Sequence, residues 1–508
     1  MRVLSAQFAF SQPVAWSTMT ASSEQIQNNR VRLRALERAA AEHVAIGQYE
    51  NALRLVTVGA DWSWFNHTGM FASPTFENLL RTIGTRLVPD SPDRRTEGEH
   101  RRVLHVLTQA YPTGGHTRLA WRWMSLDESS EHSVLLTSQY DLGVPSRLTS
   151  ACDGRLYSLG NLSQVEKVQA VASHLGEYDV IVLHIHPFDA VVVAACAGMA
   201  NRSRTLLVNH ADHVFWLGLS AADQIVNLRP ASEWIARDRR TGSSDQFVRL
   251  ALPLDQPTLD PGAGRDLRVS LGIAEDEPVV ATIAEPYKFA TSDDLGFMDL
   301  ISRLFAQIPS AHLIAIGPSQ DSHGWGGLQR ELPTRVHLLG TTPDYASTLA
   351  AADVYLDSFP FSSITSMLEA ALHEVPVVTM SKASRGPLNF DDYRLTPDAI
   401  TTPEEWLELV EGWCRDYPRA RAAGAEMQQA VSSVHGKAAW IEQVEALYTS
   451  PWVRSDVPVE SVSTRLRWYD DSIHELHRAG GLTRNFEELA ALSGLRFGTE
   501  PDSMRIGA

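Results

Sequence analysis

From Arg101 onward, short runs of Val, Ile and Leu alternate with longer stretches whose apolar residues recur with helical spacing. This pattern predicts ten strands, at residues 103–107, 134–137, 180–184, 205–208, 225–228, 279–283, 313–316, 336–338, 354–356 and 377–379. Nearly continuous apolar runs are typical of parallel strands buried on both faces, and the intervening helices supply right-handed crossovers. The predicted fold class is therefore α/β.

A stretch punctuated by prolines, residues 251–261, separates the ten strands into two sets of five. This interruption and the restart of the pattern favour two doubly wound, Rossmann-like lobes joined by a hinge over one large α/β domain. We place the first lobe at 101–250 and the second at 251–445. Residues 1–100 and 446–508 lack the alternation and are predicted to be helical extensions.

The composition, 44% hydrophobic and 21% charged over 508 residues, is that of a globular chain. No apolar run approaches the roughly 20 residues that span a bilayer. The first residues, with polar interruptions at Gln7 and Ser11, do not resemble a cleavable signal. The three cysteines, Cys152, Cys196 and Cys414, are widely spaced, as is usual for reduced thiols. We therefore expect a cytoplasmic protein without an integral membrane segment.

The net charge of −17 would repel a polyanion, and the short Arg cluster at 237–240 is interrupted by an acidic residue. No nucleic-acid partner is expected.

A glycine-rich turn, Gly114-Gly115-His116, follows the first predicted strand and precedes a helical stretch. Glycines there let the backbone approach a ligand, and the helix N-terminus offers N–H groups. The turn lacks the dinucleotide pattern G-x-G-x-x-G, and a tight turn capped by Thr117 is the alternative interpretation. At the carboxyl edge of a strand, His116 is a candidate general base.

Polar residues also follow two consecutive strands of the same lobe: His184 and His186, then His210, Asp212 and His213. Two histidines that lie two positions apart on a strand share one face. The set is compatible with a zinc or non-heme metal site. It is equally compatible with the polar floor of a cleft between lobes, which we prefer.

In the second lobe, a strand that ends near Ser358 leads into a helix opened by small hydroxyl residues. The helix N-terminus around Ser363 and Ile364, with the hydroxyls of Thr365 and Ser366, suits an anionic diphosphate. Glu369, one turn further on, would accept the hydroxyls of a ribose. An ordinary capping box produces a similar pattern, so this alternative stays open.

Tyr287 and Lys288 follow the first strand of the second lobe, so Lys288 would reach the same crevice and neutralise phosphate charge. A solvent-exposed lysine is the alternative.

The stretches around 279–289 and 353–379 resemble the nucleotide-sugar site of GT-B glycosyltransferases. The closest likeness is to the O-GlcNAc transferase and bacterial protein N-glycosyltransferase group, and some features are similar to retaining GT-B enzymes. The resemblance implies that the lysine of the Tyr287-Lys288 pair contacts the diphosphate. It implies that the two helix-opening hydroxyls are Thr365 and Ser366, and that Glu369 binds the ribose.

In the first lobe, Gly114-Gly115-His116 resembles the glycine-rich loop of this group, and His186 resembles the strand-end histidine of retaining members. The chain departs from the pattern at Ile364, where the O-GlcNAc group has a His. It departs again at Phe361, where retaining relatives have a Glu, and it lacks a long tetratricopeptide array. The stereochemical course therefore stays open.

We expect a glycosyltransferase of hexosyl or N-acetylhexosaminyl type that uses a nucleotide-sugar donor, with UDP the expected nucleotide, and needs no metal or other cofactor. His116 is the leading base, His186, His210 and Asp212 orient the reactants, and the residues from Leu339 onward cover the nucleotide base. The acceptor is not identified by the sequence, and homo-oligomerisation stays open. The alternatives are a metal-dependent hydrolase built on the histidine cluster, a catalytically silent binding subunit, and a GT-B epimerase or phosphorylase.

Overall fold

The computed structural model describes residues 21–88, 100–112, 114–200, 203–240, 246–254, 257, 260–289, 296–342, 345–359, 361–380, 395, 400–451, 464–467, 469–479 and 481–492. Within these residues, two fully parallel sheets form the centres of two lobes.

The first sheet has seven strands in the order β3-β2-β1-β4-β5-β6-β7. Its strands are β1 (Arg101–Leu107), β2 (Ser130–Leu136), β3 (Leu156–Ser158), β4 (Val180–His184), β5 (Arg204–Asn209), β6 (Gln224–Asn227) and β7 (Phe247–Arg249). The helices between them are α4 (Gly115–Leu126), α5 (Ser146–Ala151), α6 (Gln164–Leu175), α7 (Ala190–Gly198) and α8 (Pro230–Arg239).

The second sheet has five strands in the order β10-β9-β8-β11-β12. Its strands are β8 (Val279–Ile283), β9 (His312–Ile316), β10 (Val336–Gly340), β11 (Val354–Leu356) and β12 (Val377–Val378). Its helices are α9 (Pro261–Leu271), α10 (Phe297–Gln307), α11 (Trp325–Glu331), α12 (Ala346–Ala351), α13 (Ile364–Leu372), α14 (Pro403–Arg415) and α15 (Tyr417–His435).

Both strand orders reverse direction beside the first strand of their sheet, which is the doubly wound arrangement that the sequence predicted. Every one of the ten predicted strands overlaps an observed strand, whereas β3 and β7 were not predicted. In such sheets, ligands bind outside the carboxyl ends of the strands at the point of reversal. This point lies between β1 and β4 in the first lobe, and between β8 and β11 in the second.

Three helices precede the first lobe: α1 (Ala21–Ala45), α2 (Tyr49–Phe65) and α3 (Pro74–Leu87). They share one hydrophobic core with the first sheet. The helix α3 lies against α7, where a Cβ atom at Gly84 would meet the carbonyl oxygen of Ala194 at 2.0 Å. The buried Glu77 carboxylate accepts hydrogen bonds from the backbone N–H groups of Gly218 (2.8 Å) and Ser220 (2.9 Å), which fixes the loop after β5.

The last helices are α16 (Lys437–Thr449), α17 (Asp470–Ala479) and α18 (Phe486–Leu492). The helix α16 returns to the first lobe, because its Tyr448 hydroxyl accepts a hydrogen bond from Trp123 Nε1 (2.7 Å). The predicted lobe boundary at residue 445 therefore falls inside α16. None of the helices in the described ranges is long and apolar enough to cross a membrane.

Candidate active site

A cavity of about 430 Å³ lies between the two lobes at the carboxyl ends of both sheets. Residues from the first lobe, the segment between the lobes and the second lobe line it. Those that carry the argument below are Gly114, Gly115, His116, Arg118, Arg122, His210, Asp212, His213, Arg229, Glu285, Tyr287, Lys288, Thr341, Thr342, Phe361, Ser363, Ile364, Thr365 and Ser366.

Lys288 lies in a 3₁₀ turn (Pro286–Phe289) that directly follows β8. Its Nζ donates a hydrogen bond to the carbonyl oxygen of Ser362 (3.2 Å) and lies 5.1 Å from the centre of the Phe361 ring. Burial lowers the pKa of Lys288 to about 8, against the opposing effect of nearby Asp357 and Glu285. The ammonium group is thus held next to the start of α13 instead of in bulk solvent.

The first turn of α13 is formed by Ile364, Thr365 and Ser366, and all three residues line the cavity. The Asp357 carboxylate, at the end of β11, accepts hydrogen bonds from the N–H groups of Ser358 and Ser363, both 2.9 Å. These bonds fix the turn that aims the helix N-terminus at the cavity. The N–H groups of a first helical turn have no intrahelical partners and favour an anion.

Burial raises the pKa of Asp357 to about 6, although hydrogen bonds from Ser362 and Ser363 and the charge of Lys288 oppose this effect. Burial also raises the pKa of Tyr287, which lines the same side, to about 12. The exposed Glu285 adds a carboxylate at this wall. This wall of the cavity therefore combines one ammonium group and one helix N-terminus with the nearby carboxyl groups of Asp357 and Glu285.

The glycine-rich turn forms the facing wall, in the first lobe. Gly114 is the N-cap of α4 and has φ 109° and ψ 155°, a conformation that side chains with a Cβ atom rarely adopt. Gly115 and His116 are the first two residues of the helix and also line the cavity. Here too, a helix N-terminus opens towards the cavity.

The His116 ring stacks on the His210 ring, with centroids 3.9 Å apart and an interplanar angle of 18°. Burial, followed by the proximity of His210 and His186, holds the pKa of His116 well below its usual value. Its Nδ1 atom is buried and makes no hydrogen bond with the described residues. Two neutral imidazoles are thus presented side by side, and either has the chemistry of a general base.

Asp212 is an ion-pairing residue at the edge of the cavity. Its carboxylate is held by the guanidinium of Arg229, with Nη2 2.8 Å from Oδ1, and by the hydroxyl of Ser232. Burial raises the pKa of Asp212, but the charge of Arg229 and hydrogen bonds from His213 and Arg229 outweigh this and hold it well below its usual value. The carboxylate is therefore ionised and already paired.

His186 lines a smaller recess beside the main cavity, together with His116 and His210. Its ring lies edge-on to His116, with centroids 5.7 Å apart, and parallel to Tyr111 at 6.2 Å. The half-buried Trp64 completes this aromatic wall, 6.3 Å from His186. Burial lowers the pKa of His186.

Two residues predicted to contact the donor, Leu339 and Glu369, lie behind the residues that line the cavity. Leu339 packs against the small core formed around Ile273 and Ile314, and the next residues, Thr341 and Thr342, line the cavity in its place.

Glu369 is 4% exposed, and its Oε1 lies 2.6 Å from Nη2 of Arg122 and 3.4 Å from Nη1 of Arg118. The predicted ribose-binding carboxylate is therefore engaged by the opposite lobe. The sequence analysis did not single out either arginine. A signal was present, because two arginines four positions apart on the helix after a glycine-rich turn share a face that runs down from that turn.

The histidine cluster does not offer a free set of metal ligands. His184 uses both ring nitrogens in hydrogen bonds to other imidazoles, with Nε2 3.1 Å from His105 and Nδ1 3.2 Å from His210. Over the described part of the chain, no group of three or more His, Cys, Asp or Glu side chains is arranged to hold a metal ion.

No family model and no curated protein sequence matches the chain. Solved structures do resemble it. One is Anabaena Alr3699/HepE in complex with UDP and glucose, with 15% identity, a TM-score of 0.53, and coverage of 69% of this chain and 100% of that chain. A second is a glycosyltransferase from Rickettsia africae, with 10% identity, a TM-score of 0.53, and coverage of 69% and 98%.

A third is a Thermobaculum terrenum O-GlcNAc transferase mutant, with 19% identity and coverage of 89% of this chain and 84% of that chain. Its TM-score of 0.48 is too low to support an argument. At these identities the likeness shows the fold alone, and the two-lobed GT-B fold predicted from the sequence is confirmed.

Proposed function

We propose that this protein is a glycosyltransferase that takes a sugar from a nucleoside-diphosphate donor. The observation that carries the proposal is the convergence of Lys288 and the first turn of α13 on one cavity. The imidazoles of His116 and His210 face them from the other lobe. Positive groups on one side can stabilise a leaving diphosphate, and a neutral imidazole on the other side can accept the proton of an acceptor, so the arrangement suits glycosyl transfer.

The diphosphate of the donor binds against Lys288 and the N–H groups at the start of α13, with the hydroxyls of Thr365 and Ser366 as further donors. These groups stabilise the negative charge that develops on the leaving nucleoside diphosphate. No divalent cation is required for this, since the ammonium group and the helix N-terminus supply the positive potential. The acceptor enters from the side of His116, where His186 and its aromatic neighbours form the wall.

UDP is the nucleotide we propose. The likeness of the Tyr287–Lys288 and Thr365–Ser366 pairs to the O-GlcNAc transferase group supports it. The complex of HepE with UDP and glucose, a protein with the same fold, also supports it. The transferred sugar is proposed to be a hexose or N-acetylhexosamine, and the protein is proposed to act in the cytoplasm.

A thermal-shift screen with UDP, GDP, ADP and dTDP tests the donor site. A nucleotide that binds the folded state raises the melting temperature by mass action, by an amount set by RT ln(1 + [L]/Kd). Lys288→Ala should abolish most of the UDP-dependent shift. The matched control is Lys437→Ala, because Lys437 is an exposed lysine on α16 whose contact is an ion pair with Glu128 (2.6 Å). Equal UDP shifts in both variants would remove Lys288 from the site.

Turnover separates a transferase from a silent binding subunit. Labelled UDP-hexoses and UDP-N-acetylhexosamines are incubated with the protein and a mixed acceptor extract, and UDP release and labelled products are measured. Nucleotide binding without turnover of any donor identifies a binding subunit. Stoichiometric zinc in the purified protein, with hydrolysis that depends on it, identifies a hydrolase instead.

A further inference from the structure

Four histidines form a continuous hydrogen-bonded chain through the interior of the first sheet, and the chain ends at the cavity. His132 Nδ1 lies 3.0 Å from His105 Nε2, His105 Nδ1 lies 3.1 Å from His184 Nε2, and His184 Nδ1 lies 3.2 Å from His210 Nε2. The rings of His132, His105 and His184 are 0–1% exposed. The chain is therefore sealed from solvent except at its His210 end.

The strand register explains why the four rings meet. His105 pairs with Val134 on one side and with Val182 on the other, so His132 is offset two residues backwards and His184 two residues forwards. Offsets of two keep side chains on one face of a sheet. His210, after the end of β5, continues the same diagonal across a further strand. With strands about 4.8 Å apart, the chain extends roughly 14 Å in the direction across the strands.

At the end of the chain away from the cavity, the contact between His132 and Asp127 fixes the direction of every hydrogen bond between the four rings. His132 Nε2 lies 2.9 Å from the backbone carbonyl oxygen of Asp127 and 3.5 Å from the carboxylate Oδ2 of the same residue, and both oxygens only accept. His132 Nε2 therefore carries the proton, and in a neutral ring its Nδ1 is an acceptor. His105 Nε2 must then donate to it, which makes His105 Nδ1 the acceptor for the next ring.

The same reasoning passes through His184 to His210, whose Nε2–H donates to His184 Nδ1. The chain thus specifies the Nε2–H tautomer at all four positions and leaves His210 Nδ1 without a proton. No described residue donates a hydrogen bond to this atom, and the ring lines the cavity. Trp123 on α4, with its ring edge-on to both His105 and His184 at 6.0 Å, covers the chain and excludes water from it.

We infer that His210 is the general base, and that His184, His105 and His132 are positioning residues that hold its Nδ1 unprotonated towards the acceptor. This inference rests on the proposed function. The sequence analysis gave the leading role to His116, and the structure assigns it instead a stacking role against the His210 ring. The buried carbonyl of Asp127, at the opposite edge of the sheet, is then the atom that selects the tautomer in the cavity.

In the transfer step, the acceptor's nucleophilic atom forms a bond to the anomeric carbon of the donor sugar. The bond between this carbon and the diphosphate oxygen breaks, and its electron pair leaves with the nucleoside diphosphate. The acceptor's proton goes to His210 Nδ1. The resulting imidazolium keeps its Nε2–H bond to His184 Nδ1, so no other proton needs to move.

Tautomers are read directly from two-bond ¹H–¹⁵N spectra of ¹⁵N-histidine-labelled protein, with each ring assigned by the signal lost in its own variant. In the wild type we expect protonated Nε2 and bare Nδ1 at all four positions. A protonated Nδ1 on His210 overturns the inference, whatever the variants do.

His132→Gln and His132→Phe test the positioning role from the far end of the chain. A glutamine amide can donate to the Asp127 carbonyl and accept from His105, so His132→Gln should keep the tautomers of the other three rings. Phe can do neither, so His132→Phe should allow mixed tautomers at His210. It should lower kcat by at least about tenfold, and by no more than the roughly 10²- to 10⁴-fold that a general base contributes, with little change in donor KM.

The matched control is His312→Phe, which removes another buried histidine, 5% exposed, that also pairs with an imidazole, that of His337 (3.1 Å), in the second lobe. Equal kcat for His132→Phe and His312→Phe overturns the positioning role. If His132→Phe does not fold, the tautomers measured in the wild type and in His132→Gln still test whether the chain holds His210 Nδ1 unprotonated. If the tautomers are as expected but no donor is turned over, the proposed function fails, and the catalytic role of His210 fails with it.

Discussion

The ammonium group of Lys288 should make nucleotide binding depend on pH in a range where an ordinary lysine does not titrate. Burial lowers its pKa from 10.5 to about 8. A bound diphosphate would raise the pKa again, because it places negative charge next to the ammonium group. Binding above about pH 8 must then include the uptake of a proton by Lys288.

The magnitude follows from the fraction of Lys288 that is protonated before binding. With a pKa of about 8, roughly 90% of the free protein carries the charge at about pH 7, and roughly 10% at about pH 9. The Kd for UDP should therefore rise about tenfold between these pH values, equivalent to about 1.4 kcal/mol. Lys288→Met keeps an unbranched apolar side chain next to Phe361 and removes the titrating group, so its affinity for UDP should be weaker and should lack this change with pH.

Isothermal titration calorimetry of UDP at several pH values measures the two affinities. The nucleotide itself also titrates, so the informative quantity is the ratio of the Kd of Lys288→Met to that of the wild type, which should shrink about tenfold between about pH 7 and about pH 9. Titrations in two buffers of different ionisation enthalpy measure the protons taken up on binding. At about pH 9, the wild type should take up close to one proton more per bound UDP than Lys288→Met does. A constant ratio of Kd values would refute the reasoning.

Three further perturbations test contacts around the cavity. Arg122→Met leaves the buried Glu369 carboxylate with only the longer 3.4 Å contact to Arg118, and it should lower the free energy of unfolding, measured by urea titration, by about 3 kcal/mol. The double variant Arg122→Met/Glu369→Gln should recover part of this, and strictly additive effects would contradict the pairing. Gly114→Ala places a Cβ atom on a residue with φ 109°, and the resulting strain of about 1–3 kcal/mol should lower the melting temperature. Gly115→Ala, where a Cβ atom would meet open space, should leave the melting temperature unchanged. Equal melting temperatures for the two variants would contradict this prediction. Burial raises the pKa of Asp470, but hydrogen bonding by His67 and the charges of His67 and Arg239 hold it below 3.8. The ionised Asp470 should therefore stabilise the fold at about pH 7, and this contribution should be lost as the pH falls below the usual pKa of a carboxylate. Asp470→Asn should remove this dependence of the unfolding free energy on pH. An unchanged pH dependence in Asp470→Asn would argue against the assignment.

The strands were predictable because each one interior to the sheets carries a short apolar run, which in β1 is broken only by His105. The exceptions have a physical cause. The strands β3 (Leu156–Ser158) and β7 (Phe247–Arg249) are three residues long and lie at the edges of the first sheet, where one side has no neighbouring strand. Half-exposed segments of this length show neither an apolar run nor an alternation, so their pairing is specified by the sheet and not by their own sequence.

Residues at the carboxyl ends of strands were also predictable. His210 directly follows β5 and Lys288 lies in the turn after β8, and the topology of parallel sheets brings such positions to one edge. Contacts between the lobes were not predictable in this way, because the pairing of Arg122 with Glu369 depends on how the two sheets face each other. His105 and His132 were missed for a different reason: each is one polar residue within an apolar strand, and only the register places them in line.

Glu369 connects the two helices whose first turns meet at the cavity. It lies on α13, whose N-terminus is the proposed diphosphate site, and its partner Arg122 lies on α4, which begins at the glycine-rich turn. The buried ion pair therefore sets the distance between the donor side and the acceptor side of the cavity. The predicted ribose contact is compatible with it. Oε1 is taken by Arg122 at 2.6 Å, whereas Oε2 has a longer contact of 3.4 Å with the more exposed Arg118. A ribose hydroxyl would displace Arg118 and leave the bond to Arg122 in place, so that the donor binds without separating the lobes.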